Sequence, residues 1–319
     1  MSSTGEFDLI KRYFQRPQLQ APVPMALGPG DDCALLDVLL GQQLAVSADT
    51  LVAGIHFLAA MPAAHIAQRC LAANLSDLAA MGAKPAWFTL CLTLPSYDEA
   101  FLQGFSDGLV HMAQTYGIAL AGGDTTRGPL AISIQVMGWV PAEQALKRNG
   151  AQVGDDVYVS GYLGDAAGGL ACIHEEAAAT SYLAQRFYNP TPRLTLGQWL
   201  LGKASAAIDV SDGLLQDLGH ILSQSQVGAT LDLEQLPISN VLAAKVSAAE
   251  QEKLALAGGE DFELCFTIPP QWRQQVQGYA RQHDLPVSRI GHIEPTMGLR
   301  LQRDGQSVPV PDKLGWQHF

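Results

Sequence analysis

Apolar residues recur along this chain at two spacings, and glycine or proline stands where one spacing gives way to the other. In the first half, residues 44–48, 87–94, 118–121 and 130–140 read as extended runs that alternate with two stretches of helical spacing. One stretch covers residues 63–81 and stops at Gly82 with Pro85 beyond. The other covers residues 99–116, places Phe101, Phe105, Leu109 and Met112 on one face, and stops at Gly117. Near Lys147-Arg148-Asn149-Gly150 the strand pattern ends. A polar stretch then leads into Gly154-Asp155-Asp156 and a fresh alternation, with strands near Val157, Ile208 and Leu231 and at 262–268 and 287–293. Helices are predicted at 163–172, 214–223 and 271–283. Alternating strands and helices on both sides of this break predict an α/β (α+β) class with two domains, residues 1–147 and 148–319.

Composition narrows the function. A length of 319 residues suits two cores, and 48% hydrophobic with 16% charged residues argues against disorder. The net charge of −12, without a cluster of lysine and arginine, disfavours nucleic acid as a partner. Five widely spaced cysteines, with no Cys-x-x-Cys pair, point to a reducing cytoplasmic setting. The N-terminal residues carry no basic stretch ahead of an apolar core, and no apolar run reaches membrane-spanning length, so neither secretion nor membrane insertion is expected.

The chemistry is carried by six short acidic segments: Gly30-Asp31-Asp32, Ser47-Ala48-Asp49-Thr50, Leu75-Ser76-Asp77, Gly122-Gly123-Asp124-Thr125-Thr126, Asp209-Val210-Ser211-Asp212-Gly213 and Gly258-Gly259-Glu260-Asp261. They are too dispersed for one loop. Carboxylates at glycine turns suit hard divalent cations, which take oxygen ligands and share them with substrate phosphates, so magnesium-assisted phosphate chemistry is the first expectation. Asp31 and Asp32 read equally as a solvated turn or as ligands at a strand start. Period-two alternation sends Ser47 and Asp49 to one face, either as a ligand pair or as part of an exposed edge strand. Asp77 shares a helix face with Cys70, Ala73, Asn74 and Met81, which is a costly place for an acid without a partner. Gly123 lets backbone amides approach a phosphate beside Asp124. Asp209 and Asp212 flank a handover from strand to helix, where Asp212 reads as a ligand or as a helix N-cap. Phosphate-loop, kinase and nucleophile-elbow motifs are missing from the sequence.

In this order, with Gly5-Glu6-Phe7, Asn74-Leu75-Ser76-Asp77-Leu78-Ala79-Ala80-Met81-Gly82 and Gly258-Gly259-Glu260-Asp261-Phe262-Glu263-Leu264, the segments resemble the bacterial thiamine-monophosphate kinase family over nearly the whole chain. That family lies within the aminoimidazole-ribonucleotide-synthetase superfamily. The resemblance implies ATP-dependent phosphorylation of thiamine monophosphate to thiamine diphosphate by direct in-line transfer, with several Mg2+ ions and K+. It also implies a homodimer whose N-terminal domains share a β-barrel. By position it makes Asp32, Ser47, Asp49, Asp77, Asp124, Asp209 and Asp212 metal ligands. Gly123, Asp124, Arg148 and Ser211 become ATP contacts, and His56, Glu260 and Trp316 contacts to thiamine monophosphate. Ala48 departs from the threonine often found there; only a ligand acting through that hydroxyl would be lost.

Two alternatives stand beside this reading. One is another ATP-dependent enzyme of the superfamily, such as a ligase or cyclase making a purine precursor. A selenophosphate synthetase is disfavoured because no cysteine precedes Cys33, and a hydrogenase-maturation relative because the sequence ends in Gln317-His318-Phe319 rather than a reactive cysteine. The other alternative is a non-catalytic module that binds nucleotide or divalent cations.

Overall fold

The computed structural model describes residues 9–19, 25–27, 33–37, 39–173 and 181–316. Asp32 and the Gly5-Glu6-Phe7 segment lie outside them. The chain forms two compact units, Met1–Leu78 with Ala83–Glu143, and Ala79–Gly82 with Gln144–Phe319.

The first unit is built on a four-stranded sheet in the order β3 (Gln42–Val52), β6 (Ala131–Pro141), β4 (Lys84–Leu94), β5 (Ala119–Arg127). A short ribbon, β1 (Met25–Leu27) with β2 (Leu35–Leu36), forms a separate two-stranded sheet. The sheet is open, with β3 and β5 at its edges, and the described residues form no closed barrel. β3 and β6 pair without a slip from Gln42 opposite Pro141 to Val52 opposite Ala131, so alternation along β3 is fixed over its whole length. Leu51, Ile132, Ile134, Val136, Leu90 and Leu92 make the buried face. On the other face, Trp87 and Trp139 meet edge to face at 5.3 Å under Met25, Ala34 and Leu36, while Leu44 and Val46 remain 45% and 52% exposed.

Helices α1 (Ala63–Ala80) and α2 (Glu99–Tyr116) belong to this half. Asp98 caps α2 by accepting the Phe101 N–H at 3.0 Å, and Gly117 closes it at φ 63°. Small residues let the two helices approach closely. A Cβ built on Gly108 would lie 2.9 Å from both Ala64 Cα and the Ala67 methyl, and nearer still to the Ala64 carbonyl oxygen.

The second unit holds a seven-stranded sheet in the order β13 (Gln306–Val308), β12 (Gly298–Arg303), β9 (Gly228–Asp232), β11 (Val287–Glu294), β7 (Asp156–Ser160), β10 (Glu263–Ile268), β8 (Ala206–Val210). Its helices are α3 (Asp165–Cys172), α4 (Tyr182–Tyr188), α5 (Leu194–Leu200), α6 (Leu214–Ser225), α7 (Asn240–Ala243), α8 (Ala248–Ala257) and α9 (Arg273–Gln282). Strand and helix alternate here as the pattern predicts, yet every strand pair except β9 with β12 is antiparallel, which makes this half α+β in its pairing. Alternation along the chain fixes the kind of element but not the neighbour it pairs with. Strands β7, β8 and β10 are buried at every residue, as befits a sheet covered on both faces. Leu214, Leu218, Ile221 and Leu222 of α6 pack on one face against Val157, Val159, Ile208 and Leu231. Among the described residues, no helix is long and apolar enough to cross a membrane.

Two glycines inside helices test this packing with opposite signs. Gly108→Ala is expected to destabilise by about 1–3 kcal/mol through overpacking. Gly219→Ala in α6, with nothing within 4 Å of its new methyl, should stabilise by about 0.5–1 kcal/mol. Urea denaturation of the two variants beside the unaltered protein checks both.

Candidate functional site

The residues singled out from the sequence divide between the units. His56, Ser47, Asp49, Asp77, Gly123 and Asp124 belong to the first, and Arg148, Asp209, Ser211, Asp212, Glu260 and Trp316 to the second.

In the first unit, β3 turns Ser47 and Asp49 toward α1. Ser47 Oγ donates to Asp77 Oδ2 at 2.6 Å, so the acid on the apolar helix face has its partner on the strand. The N–H of Asp49, on the side of β3 away from β6, donates to Asn74 Oδ1 at 3.0 Å, and Asn74 Nδ2 donates to the Cys70 carbonyl at 2.9 Å. Asn74 is wholly buried and thereby satisfies an edge-strand donor that would otherwise lack a partner. Burial pushes the Cys70 thiol up to about 12, helped by the Asp49 charge, so that thiol is no nucleophile. At the end of β3, His56 Nδ1 accepts the Val52 N–H at 3.0 Å, and the buried Arg69 donates from Nε to the His56 carbonyl at 3.1 Å. The neutral ring therefore carries its proton on Nε2.

Gly123 sits on β5 at φ 154°, where a Cβ would run into the Leu90 carbonyl; only glycine fits. Asp124 is exposed and paired opposite Cys91, which itself pairs with Ser133, the partner of Thr50. That register places Asp124 on the sheet face opposite Ser47 and Asp49. The structure thus joins Ser47, Asp49 and Asp77, and sets Asp124 apart from them within this unit.

In the second unit, the segment from β8 to α6 is the hub. Asp209 is 4% exposed and pairs with Leu264 of β10. Asp212 is not the N-cap of α6: Gly213 takes that place, and the Asp212 and Gly213 N–H groups donate to Asp217 Oδ2 at 3.1 and 3.0 Å. Glu260 and Trp316 both hang on this segment. The Glu260 N–H donates to the Ser211 carbonyl at 2.7 Å and the Trp316 N–H to the Asp212 carbonyl at 3.0 Å. Gln216 Nε2 bridges Asp212 Oδ2 and the Trp316 carbonyl, both at 2.9 Å, and the Trp316 side chain is left half exposed. Arg148 is exposed beside β8: the neighbouring Lys147 carbonyl accepts the Ala207 N–H, and its own carbonyl accepts Ser225 Oγ at 2.9 Å.

Two further acids of this unit, quoted in the sequence motif but given no role there, are buried. Glu263 is wholly buried between Arg193 and Arg186, receiving Arg193 Nε at 2.6 Å, Arg186 Nη2 at 2.7 Å and Ser160 Oγ at 2.7 Å. The arginines and these bonds hold its carboxyl below the usual range against the desolvation that opposes them. An acid inside the apolar run Glu263-Leu264-Cys265-Phe266 was the signal, because such an acid demands cations nearby. Asp261 is buried, and its two oxygens accept the Gly164 and Ala166 N–H groups at 2.7 and 3.1 Å. Backbone strain gathers beside it, with Glu260 at φ 66° and Phe262 at φ 50°, conformations that cost about 1–3 kcal/mol each and persist only where the surroundings enforce them.

The donors present on both units are oxygens. Among the described residues, no three or more of His, Cys, Asp and Glu are grouped so as to hold a metal. Mg2+ needs less than that, because it keeps its waters and binds through one or two carboxylates plus substrate phosphates, and the oxygen donors Ser47 and Asp77 that the structure joins are of the type it takes.

The AIR synthase related protein families match this chain in both halves, the N-terminal domain at residues 30–140 and the C-terminal domain at residues 152–304. The thiamine-monophosphate kinase of Salmonella typhimurium is 48% identical over 99% of this chain and 98% of its own. The crystal structure of thiamine-monophosphate kinase from Stenotrophomonas maltophilia superimposes with a TM-score of 0.84 at 44% identity, covering 96% of this chain and 98% of that one. The structure of AaThiL complexed with AMPPCP and TMP is 28% identical with a TM-score of 0.76, covering 100% of this chain and 98% of that one.

Burial pushes the Asp217 carboxyl up to about 7, with the Asp212 charge adding and the backbone N–H bonds opposing. Between about pH 4 and pH 7 the folded protein thus keeps a proton that the unfolded chain has released, so this group's contribution to stability falls as pH rises through that window. Asp217→Asn is expected to flatten the decline, read as the urea midpoint at pH 5 and at pH 7.5.

Proposed function

This chain belongs to the thiamine-monophosphate kinase family of AIR synthase related proteins, and from that membership we propose that it phosphorylates thiamine monophosphate with ATP to give thiamine diphosphate. The carrying observation is identity of 45–48% to thiamine-monophosphate kinases over 99% of the chain. The AaThiL structure, complexed with AMPPCP and TMP, supports the pairing of substrates.

The acceptor is a phosphate monoester whose second pKa is near 6, so at neutral pH it is mostly a dianion and needs no base. The obstacle is repulsion between two polyanions, about 4 kcal/mol per unit-charge pair at 4 Å and an effective dielectric near 20. In the first unit Asp49 and Asp77 would hold Mg2+, and separately in the second Asp209 and Asp212, with Asp32 as a further ligand; the metal would supply the opposing charge. Ser47 holds the Asp77 carboxylate in place by its 2.6 Å hydrogen bond. Gly123 and Asp124 of the first unit and Arg148 and Ser211 of the second are each assigned to the nucleotide, with K+ as a further cation. Transfer is direct, from ATP to the acceptor phosphate, with no phosphoenzyme.

At the other end of thiamine monophosphate is a thiazolium cation, which an indole face and a carboxylate both attract. Trp316 and Glu260 take these roles, hung on the same segment of β8 and α6, and His56 is a third substrate contact. Residues 1–147 form the domain for ATP, metal and dimerisation, and residues 148–319 the second domain. The homodimer forms across the outer face of β3, where Leu44 and Val46 are exposed, the two sheets closing as one barrel.

Incubation with ATP, Mg2+ and thiamine monophosphate is expected to yield thiamine diphosphate by chromatography; no diphosphate under these conditions overturns the activity. Trp316→Ala should raise KM for thiamine monophosphate by about tenfold, the worth of a partly desolvated cation–π contact, and leave KM for ATP nearly unchanged. Equal effects on the two KM values would remove Trp316 from the substrate site.

A further inference from the structure

Gly259, Glu260 and Phe262 take φ of 68°, 66° and 50° within four residues. Glycine enters that region freely, whereas a glutamate, and above all a buried phenylalanine, stays there only under constraint. The constraint is visible. The N–H groups of Glu260 and Phe262 donate to the Ser211 and Val210 carbonyls at 2.7 and 2.9 Å. Between them Asp261, 2% exposed, turns inward and engages both its oxygens, one with the Gly164 N–H and one with the Ala166 N–H at the start of α3. Arg186, itself paired with Glu263, reaches the Asp261 carbonyl at 3.4 Å. Here the two main-chain donors reach different oxygens of Asp261, one each, and asparagine would set its NH2 group against one of those N–H groups. Glu260, half-buried, is thus fixed on its backbone from both sides.

We propose that Asp261 is a positioning residue for Glu260: by clamping the strained turn to α3 it presents the Glu260 carboxylate to thiamine monophosphate in one fixed direction. This rests on the assignment of Glu260 to that substrate. A carboxylate presented by a turn already held in place loses little freedom on binding, so the clamp acts on affinity for thiamine monophosphate rather than on transfer.

The test measures KM for both substrates and kcat in Asp261→Asn, Glu260→Gln, the double variant, and Ser239→Ala, which removes the buried Ser239–Asp165 hydrogen bond and the cap of α7 without touching residues 259–262. Asp261→Asn is expected to raise KM for thiamine monophosphate about tenfold, the worth of one buried hydrogen bond, with KM for ATP and kcat within about twofold. Because Asp261 acts through Glu260, the double variant should be no worse than Glu260→Gln alone. Ser239→Ala should leave both KM values unchanged, which separates positioning from mere loss of stability. Arg186→Lys, which keeps a cation for Glu263 and gives up the Asp261 carbonyl, should move the same KM in the same direction and covers the case in which Asp261→Asn does not fold. Additive effects in the double variant, or equal shifts in both KM values, overturn the proposal. An unchanged KM in Glu260→Gln overturns the assignment of Glu260 instead, while absence of turnover by the unaltered protein overturns the activity itself.

Discussion

A carboxylate taken out of water must be given N–H or O–H donors or a cation, and this demand shapes the second unit more than any other. Asp217 receives the amides that open α6, Asp261 those that open α3, and Glu263 two guanidinium groups and a serine. Asp217 braces the turn from β8 into α6, Asp261 ties the 259–262 turn to α3, and the main chain of Glu260 and Trp316 is bonded to the β8–α6 segment. The first unit meets the same demand more lightly. Asp77 is held by Ser47, and the amide of Asp49 is taken up by Asn74.

Much of this was legible in the sequence. Helix α2 covers the span its apolar spacing predicts and ends at Gly117, and the period-two pattern of β3 does put Ser47 and Asp49 on one side, facing α1. Asp77 was legible as an acid needing a partner because its helical neighbours are apolar; the identity of the partner, on a strand thirty residues away, was not. Strands β12 and β13, and helices α4, α5, α7 and α8, went unread because their apolar positions are set by what covers them rather than by their own period. The antiparallel pairing of the second sheet was likewise out of reach, since registry is decided between segments far apart in sequence.

The same limit applies to the acids. A motif marks Glu260, Asp261 and Glu263 as a group, but only the fold separates their duties: Asp261 and Glu263 turn inward to amides and arginines, while Glu260 is held half-buried on a main chain bent the wrong way for its residue type. Conversely, Asp124 looks like its fellow acids in sequence, and strand registry alone sets it on the far side of the sheet.

The near-contact of α1 and α2 constrains how this sequence can diverge. Where Gly108 meets Ala64 and Ala67 there is no volume to spare, and the nearest atom is the main-chain carbonyl oxygen of Ala64, so no smaller side chain on α1 makes room for a bulkier residue at 108. Glycine at 108 and the spacing between the helices are therefore inherited together.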